Sequence, residues 1–457
     1  MAFSIDGIAS GLDTTTMINQ LMQLEARPQT MLKAKATSTQ GFVTALQQLN
    51  TRLSALTELA TKTAKPLALD LFKAATTSDT VTATATSSAG AGSLDFTVKQ
   101  LASSQSSVTA AMKSFSPAAS ALTLRAADGT TTEIATTGTL DDVIAAVNKA
   151  DAGITATKVG AGKDADGVQQ YRLQFTAKDP GAEHGFSVFR GTADDVAAGT
   201  ATDLFAETGA ATVRTAQDAE VVLWGGTAAE QTVASSSNTF ADLLPGISVT
   251  VSKTTTEPVS VTVSRDAEAT TKVAQELVDS LRSVFSFVAS NTAVTPGSTA
   301  GAAPVSGKFT GDSSVRSIAQ SVLTAATSPI NGKSTSELGI TLTRSGTVEF
   351  DAEKFAVALV ANPDQVKDAL TQLSARVADA GKAASDKYGG ELTRRIQSQE
   401  STVRSINDRV SDWDLRLEKR RTTLERTYSA LEVQLSKLQS QGDWLSSQLA
   451  GLSTSGS

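Results

Sequence analysis

Cysteine is absent from all 457 residues, which excludes disulfides, thiolate nucleophiles and thiolate metal sites. Histidine occurs once, as His184 in "GAEHGF". Zinc sites recruit several His or Cys ligands, and a Ser-His-Asp relay would have to rest on this single ring, so His184 reads as a loop or sheet-edge residue. Aromatic residues are sparse at 5%. No apolar run reaches the roughly 18 residues of a membrane span, so no membrane insertion is expected. Positive charge is not in excess either: the net charge is −7 and the pI about 5.1. Nucleic-acid binding is therefore not expected, because phosphate neutralisation needs clustered Lys and Arg. The opening "MAFSIDGIAS" lacks a basic n-region, a continuous apolar h-region and a cleavage site, so a general secretory signal is expected to be missing.

What the chain does have is enough apolar content, 40%, to build cores, and length for about three domains. In "GIASGLDTTTMINQLMQLEARP" the short polar side chains of Ser10, Asp13 and Thr14 to Thr16 are helix-start chemistry. Met17, Ile18, Leu21, Met22 and Leu24 then form an apolar stripe that needs a partner. Phe42, Leu46, Leu49, Leu53 and Leu56 alternate four and three apart, the seam of a coiled coil or bundle, and Pro28 lies between the two stripes. At the other end 391–449 reads as one long helix. Val403, Ile406, Val410, Trp413 and Leu417 hold the same spacing, and Leu424, Tyr428, Leu431, Leu435 and Leu438 resume it after a single Arg420 in the seam. Neither end can hide its stripe alone, so the opening stripe is expected to pair with the other terminus.

Between the helical ends the period changes to two. Val81, Ala83 and Ala85, then Leu94, Phe96 and Val98, read as one hairpin, and Ile247, Val249 and Val251 answering Val259, Val261 and Val263 read as another. "TLDDVIAAVNKA" is a helix capped by Thr139, with Asp142 in capping-box register. Further helices are expected over 270–290, from Val315 to Ala326 and over 352–382. The fold class expected is α+β and multidomain, with antiparallel β head domains inserted into a helical bundle built from both termini, and coiled-coil terminal legs.

Candidate chemistry is thin. "TSPINGKS" over 327–334 has Thr327 where a phosphate-binding loop needs Gly, and the strand before and helix after are missing. "GKDADG" over 162–167 places Asp164 and Asp166 before Gly167, yet position 173 is Leu where a calcium loop needs Glu, so a polar hairpin turn is expected. Residues 391–443 hold ten Lys/Arg against nine Asp/Glu. "EKRR" at 418–421 is therefore read as a solvated coiled-coil face rather than a polyanion site. No enzyme, cofactor or metal site is expected; the remaining surface is for assembly.

Four blocks carry a resemblance. Ser10, Gly11, Leu12 and Asp13 open a helix that ends near Glu25 and Pro28. Asn238, Thr239, Asp242, Pro245 and Gly246 precede a strand. Gly311, Asp312, Arg316, Leu338, Gly339, Ile340, Gly346, Asp351, Pro363 and Val366 follow in order, and the closing helix carries Ala430, Leu431, Leu438 and Leu445. Together these resemble the bacterial flagellar filament cap protein family, also called hook-associated protein 2; residues 115–215 match only loosely.

The resemblance implies a ring-like homo-oligomer at the extracellular tip of the flagellum that promotes flagellin insertion and prevents subunit loss. It implies flagellin and hook–filament junction proteins as partners. It also implies export through the flagellar type III apparatus without a cleaved signal, with an export chaperone as a further partner. The domain division that follows is terminal legs at 1–41 and 392–457, a helical bundle at 42–75 and 269–391, an inner β domain at 76–120 and 215–268, and an outer variable α+β domain at 121–214. The assembly interface is expected on Ser10, Gly11, Leu12, Asp13, Ile18, Leu21, Val403, Ile406, Val410, Trp413, Leu417, Leu424, Tyr428, Leu431, Leu435 and Leu438. An alternative function is a surface adhesin that binds glycans or mucin through the β head domains.

Overall fold

The computed structural model describes residues 11, 13–115, 121–297, 303–343 and 346–454, with side chains to 449. The chain divides into two units, one drawing on residues up to Lys65 and from Thr271 onward, the other on Pro66–Thr270. The first unit opens with helix α1 (Thr14–Glu25), where the Asp13 carboxylate accepts the Thr16 N–H at 2.7 Å as N-cap. Ala26 breaks the helix for one residue in right-handed conformation, and α2 (Arg27–Thr63) follows with Pro28 in its first turn, where a missing N–H costs nothing.

The second unit is built from sheets nested inside one another. A five-stranded antiparallel sheet runs in the order Phe72–Thr76, Val259–Arg265, Gly92–Gln100, Ala219–Leu223, Gln231–Ser235, and a three-stranded sheet in the order Thr239–Leu244, Ile247–Val251, Val81–Ala85. The two share one core, in which Val81, Leu94, Phe96, Val98, Val221, Phe240, Val249 and Val261 are buried. Neither hairpin read from the sequence forms. Val81–Ala85 pairs with Ile247–Val251, while Gly92–Gln100 pairs with Val259–Arg265, so each expected hairpin is split between the facing sheets. Alternation puts every second side chain into the core but says nothing about which strand lies alongside.

Between Gly92–Gln100 and Ala219–Leu223, which are hydrogen-bonded neighbours, the chain leaves to form two four-stranded sheets. Their orders are Thr202–Asp203, Phe186–Arg190, Ala121–Ala126, Thr131–Ala135 and Ala211–Arg214, Ser106–Val108, Gln169–Ala177, Ile154–Lys163. Helix α3 (Leu140–Ala150) starts at Thr139 as expected and buries Leu140, Val143 and Val147 in a second core with Phe115, Leu122, Leu173 and Phe175. The short α4 (Ala193–Ala198) carries a reciprocal capping box between Thr192 and Asp195.

The first unit resumes with α5 (Ala267–Thr292), α6 (Ser313–Thr327), α7 (Ala352–Ala361), α8 (Pro363–Ser385) and α9 (Glu391–Thr454). The single helix expected over 352–382 is two, because Pro363 cannot continue α7 and instead opens α8. Helix α2 runs without a break through residues 41 and 42 and packs on both α8 and α9. Its seam residues Leu46, Leu49, Leu53 and Leu56 are fully buried. Gly381 of α8 faces Thr57 of α2, where an added Cβ would meet the Thr57 Oγ1 at 2.2 Å, so this contact needs a residue without a side chain. An aromatic chain, Phe42–Phe309 at 6.0 Å and Phe309–Phe287 at 6.1 Å between ring centres, ties α2 and α5 to the loop before α6.

Candidate assembly interface

The sequence left one question at the amino terminus: what covers the α1 stripe. Helix α1 packs on α9, and α2 continues along the same helix. The run is antiparallel, as three side-chain pairs show. The Gln47 amide donates to the Glu400 carboxylate at 3.0 Å. Gln29, only 6% exposed, donates to the Asp414 carboxylate and to the Val410 carbonyl at 3.4 Å. Arg420 Nε donates to the Glu25 carboxylate at 2.9 Å. Arg421 further donates to Asn19 and lies 3.7 Å from Glu425. "EKRR" is therefore more than a solvated face: both of its arginines reach α1 from α9.

Burial fades along this pair of rods. Near the bundle, Val403 and Ile406 are buried, and Val410, Trp413, Leu417, Leu424 and Tyr428 are half-buried. Farther along, Leu431 is 45% exposed while Glu432 is buried and Leu435 half-buried, and from Leu438, 62% exposed, onward Trp444, Leu445 and Leu449 are all exposed. On α1, Ile18 is buried, while Leu21 and Leu24 lie more than a third open and Met31 at the start of α2 is 73% exposed. Gly11 is exposed at φ +72° with open space around it, Asp13 caps α1, and Ser10 and Leu12 lie outside the described residues. The expected interface residues thus divide into a sealed part near the bundle and an open apolar part toward the end of α9.

At the bundle end, Asp312 fixes the root of α9. It caps α6 by accepting the Val315 N–H at 3.0 Å and binds the Arg395 guanidinium of α9, which also reaches the Ser314 hydroxyl and lies 5.6 Å from the Phe42 ring centre. A second polar fixture closes the α8–α9 turn. The Asp386 carboxylate accepts the Gly389 N–H at 2.7 Å and the Tyr388 N–H at 3.0 Å, and these bonds hold its pKa below the ordinary aspartate value.

Elsewhere the described residues offer little chemistry. His184 is exposed, 3.6 Å from Glu183 in a short 3-10 turn. Asp164 accepts the Asp166 and Val168 N–H groups at 3.1 and 2.8 Å, the self-contained hairpin turn expected of "GKDADG". "TSPINGKS" forms a loop with Asn331 at φ +50°. Among the described residues there is no group of three His, Asp or Glu placed to hold a metal, and no helix is long and apolar enough to cross a membrane.

Sequence reasoning missed Gln29, Glu25 and Asn19 as partners of α9. The signal that could have found them was Arg420, an arginine interrupting an apolar seam.

Known proteins resemble this chain over most of its length. Residues 10–105 match the family profile described as flagellar hook-associated protein 2 N-terminus, and 216–440 the profile described as its C-terminus, together more than two thirds of the chain. The A-type flagellar hook-associated protein 2 of Pseudomonas aeruginosa is 27% identical, covering 98% of each chain. The flagellar hook-associated protein 2 of Escherichia coli K12 is 25% identical over 98% of each. The crystal structure of the D1-D2-D3 domains of the Escherichia coli flagellar cap protein FliD superposes with a TM-score of 0.62 at 20% identity. It covers 78% of this chain and 99% of that one, so the two share a fold.

Proposed function

Because this chain belongs to the flagellar hook-associated protein 2 family, we propose that it is the structural cap of a flagellar filament, an oligomer at the extracellular tip that holds arriving subunits until they polymerise. The observation that supports the reading is the two-rod assembly of α1–α2 on α9. It is sealed at its root and left apolar and open over Leu431, Leu438 and Leu445. A partly finished coiled coil gains order and burial only when another chain completes it. The comparisons carry the cap reading and not the adhesin alternative.

The finer assignments are proposals on the same basis. Residues 1–41 and 392–457 act as legs toward the filament, 42–75 and 269–391 as the bundle that roots them, and 76–120 with 215–268 and 121–214 as inner and outer head domains. Flagellin and the hook–filament junction are the surfaces that the legs meet, and the export apparatus with a chaperone delivers the chain. Partly polar contacts suit a cap that must step forward as each subunit is added, since a large apolar interface would hold it in place.

Deletion of residues 1–40 or 400–457 is expected to leave the β domains folded and to abolish filament growth, with flagellin lost to the medium. Leu424→Asp or Leu431→Asp should do the same more strongly than loss of any charged residue in 160–200, and so should Leu12→Asp. Filament length by electron microscopy and flagellin in culture supernatants read the outcome. Normal filaments from either truncation would reject the assignment of the legs.

A further inference from the structure

The seam of α9 runs Val403, Ile406, Val410, Trp413, Leu417 and then, three residues on, Arg420 before Leu424. The spacing places Arg420 at a core position of the repeat, where Leu would add burial. Its guanidinium instead leaves the seam and meets Glu25 of α1 at 2.9 Å. One turn and a half nearer the bundle a second polar layer replaces apolar packing: Gln29, buried against α9, donates to the Asp414 carboxylate and the Val410 carbonyl.

An ion pair in which Arg420 is 51% and Glu25 38% exposed adds little to stability, because water and salt screen it. Its value lies in choice of partner. A single polar residue at a core position of a coiled coil fixes register and excludes alternatives at some cost in stability. Two α9 helices pairing in parallel register would bring Arg420 against Arg420 and leave both seams interrupted by like charge. A slip of one heptad between α1 and α9 would place Glu25 beside Trp413 or Thr427 in place of Arg420. The slip that puts Glu25 beside Thr427 would also move Gln29, a buried amide, from Asp414 to Arg421, which can only donate, and an unmet buried amide is costly.

We infer that Arg420 and Gln29 are a partner-selecting device: they direct the α9 seam to the α1–α2 segment in one antiparallel register and keep it from pairing with the α9 of a second copy. The surface left for other chains is then the open stretch from Leu438 onward, beyond the two polar layers. The inference concerns the purified chain and stands whether or not the cap reading does.

The absence of native cysteine makes the test direct. Leu417→Cys is placed in the full chain with native Arg420 and, separately, with Arg420→Leu, and both are oxidised at low micromolar protein. The expected result is a disulfide-linked dimer yield roughly tenfold higher with Arg420→Leu, whose uninterrupted seam accepts a second α9. Equal yields in the two backgrounds would overturn the inference, leaving Arg420 a surface ion pair only. Should circular dichroism show Arg420→Leu misfolded, charge exchange decides. Glu25→Arg alone and Arg420→Glu alone should speed amide hydrogen exchange over 14–25, and the double exchange should return it to the native rate. A double exchange no better than either single variant would overturn it equally.

Discussion

The turn from α8 into α9 is set by two residues four apart. A Cβ on Gly390 would lie 2.5 Å from the Asp386 nitrogen and 2.6 Å from its carbonyl oxygen, both backbone atoms that cannot move aside. Gly390→Ala is therefore expected to cost about 1–3 kcal/mol by forcing the turn open, read as a lower urea midpoint of the helical transition. Asp386 acts through its charge. Its carboxylate is favoured by the Gly389 and Tyr388 N–H groups, so its pKa in the folded chain lies below the ordinary 3.8. A depressed folded pKa gives stability that is present in full above 3.8 and lost as pH falls through the folded value. Asp386→Ala should accordingly be less stable than the native chain at neutral pH, and the gap should narrow below pH 3.8. A gap independent of pH would show that the carboxylate's charge is not what the turn uses.

Helices and strands differ in how far they can be read in advance. The helices were legible from apolar spacing and from Asp13, Thr139 and Pro28 at their starts, since these signals are local. Strand existence was legible too, but strand partners were not: Val81–Ala85 had to wait for Ile247–Val251, far along the chain, and its alternation fits any neighbour. The interface shows the same split. Arg420 stood out as a break in a pattern, whereas Gln29 looked like any exposed glutamine until Asp414, 385 positions away, was brought beside it. Among elements, Asp312 carries the most consequence because it caps α6 and holds Arg395 of α9 while itself only 8% exposed. Asp312→Ala removes the cap and strands a guanidinium packed near Phe42, for an expected loss of about 3 kcal/mol. Asp312→Asn keeps the cap's acceptor and should lose less. Thermal unfolding of the two variants separates these contributions.

On the scale of the chain, the β-rich unit enters and leaves through adjacent strands: Phe72 lies opposite Arg265, so the two cut ends are neighbours. Residues 66–270 expressed alone should then fold cooperatively, with a β-rich circular dichroism spectrum and one sharp urea transition. A broad, non-cooperative transition would mean that this unit depends on the helices. The same geometry recurs one level in, where Gln100 and Glu220 are paired and flank everything between them. The chain is thus threaded like brackets within brackets. Loop closure is cheapest for the innermost bracket, and each one that shuts brings the next pair of ends together, turning a separation of hundreds of residues into a short gap. The meeting of Glu25 with Arg420, 395 positions apart, is the outermost bracket. It can shut at modest entropic cost only after the middle has already condensed, so a lesion deep inside the heads should delay the rods they never touch in sequence.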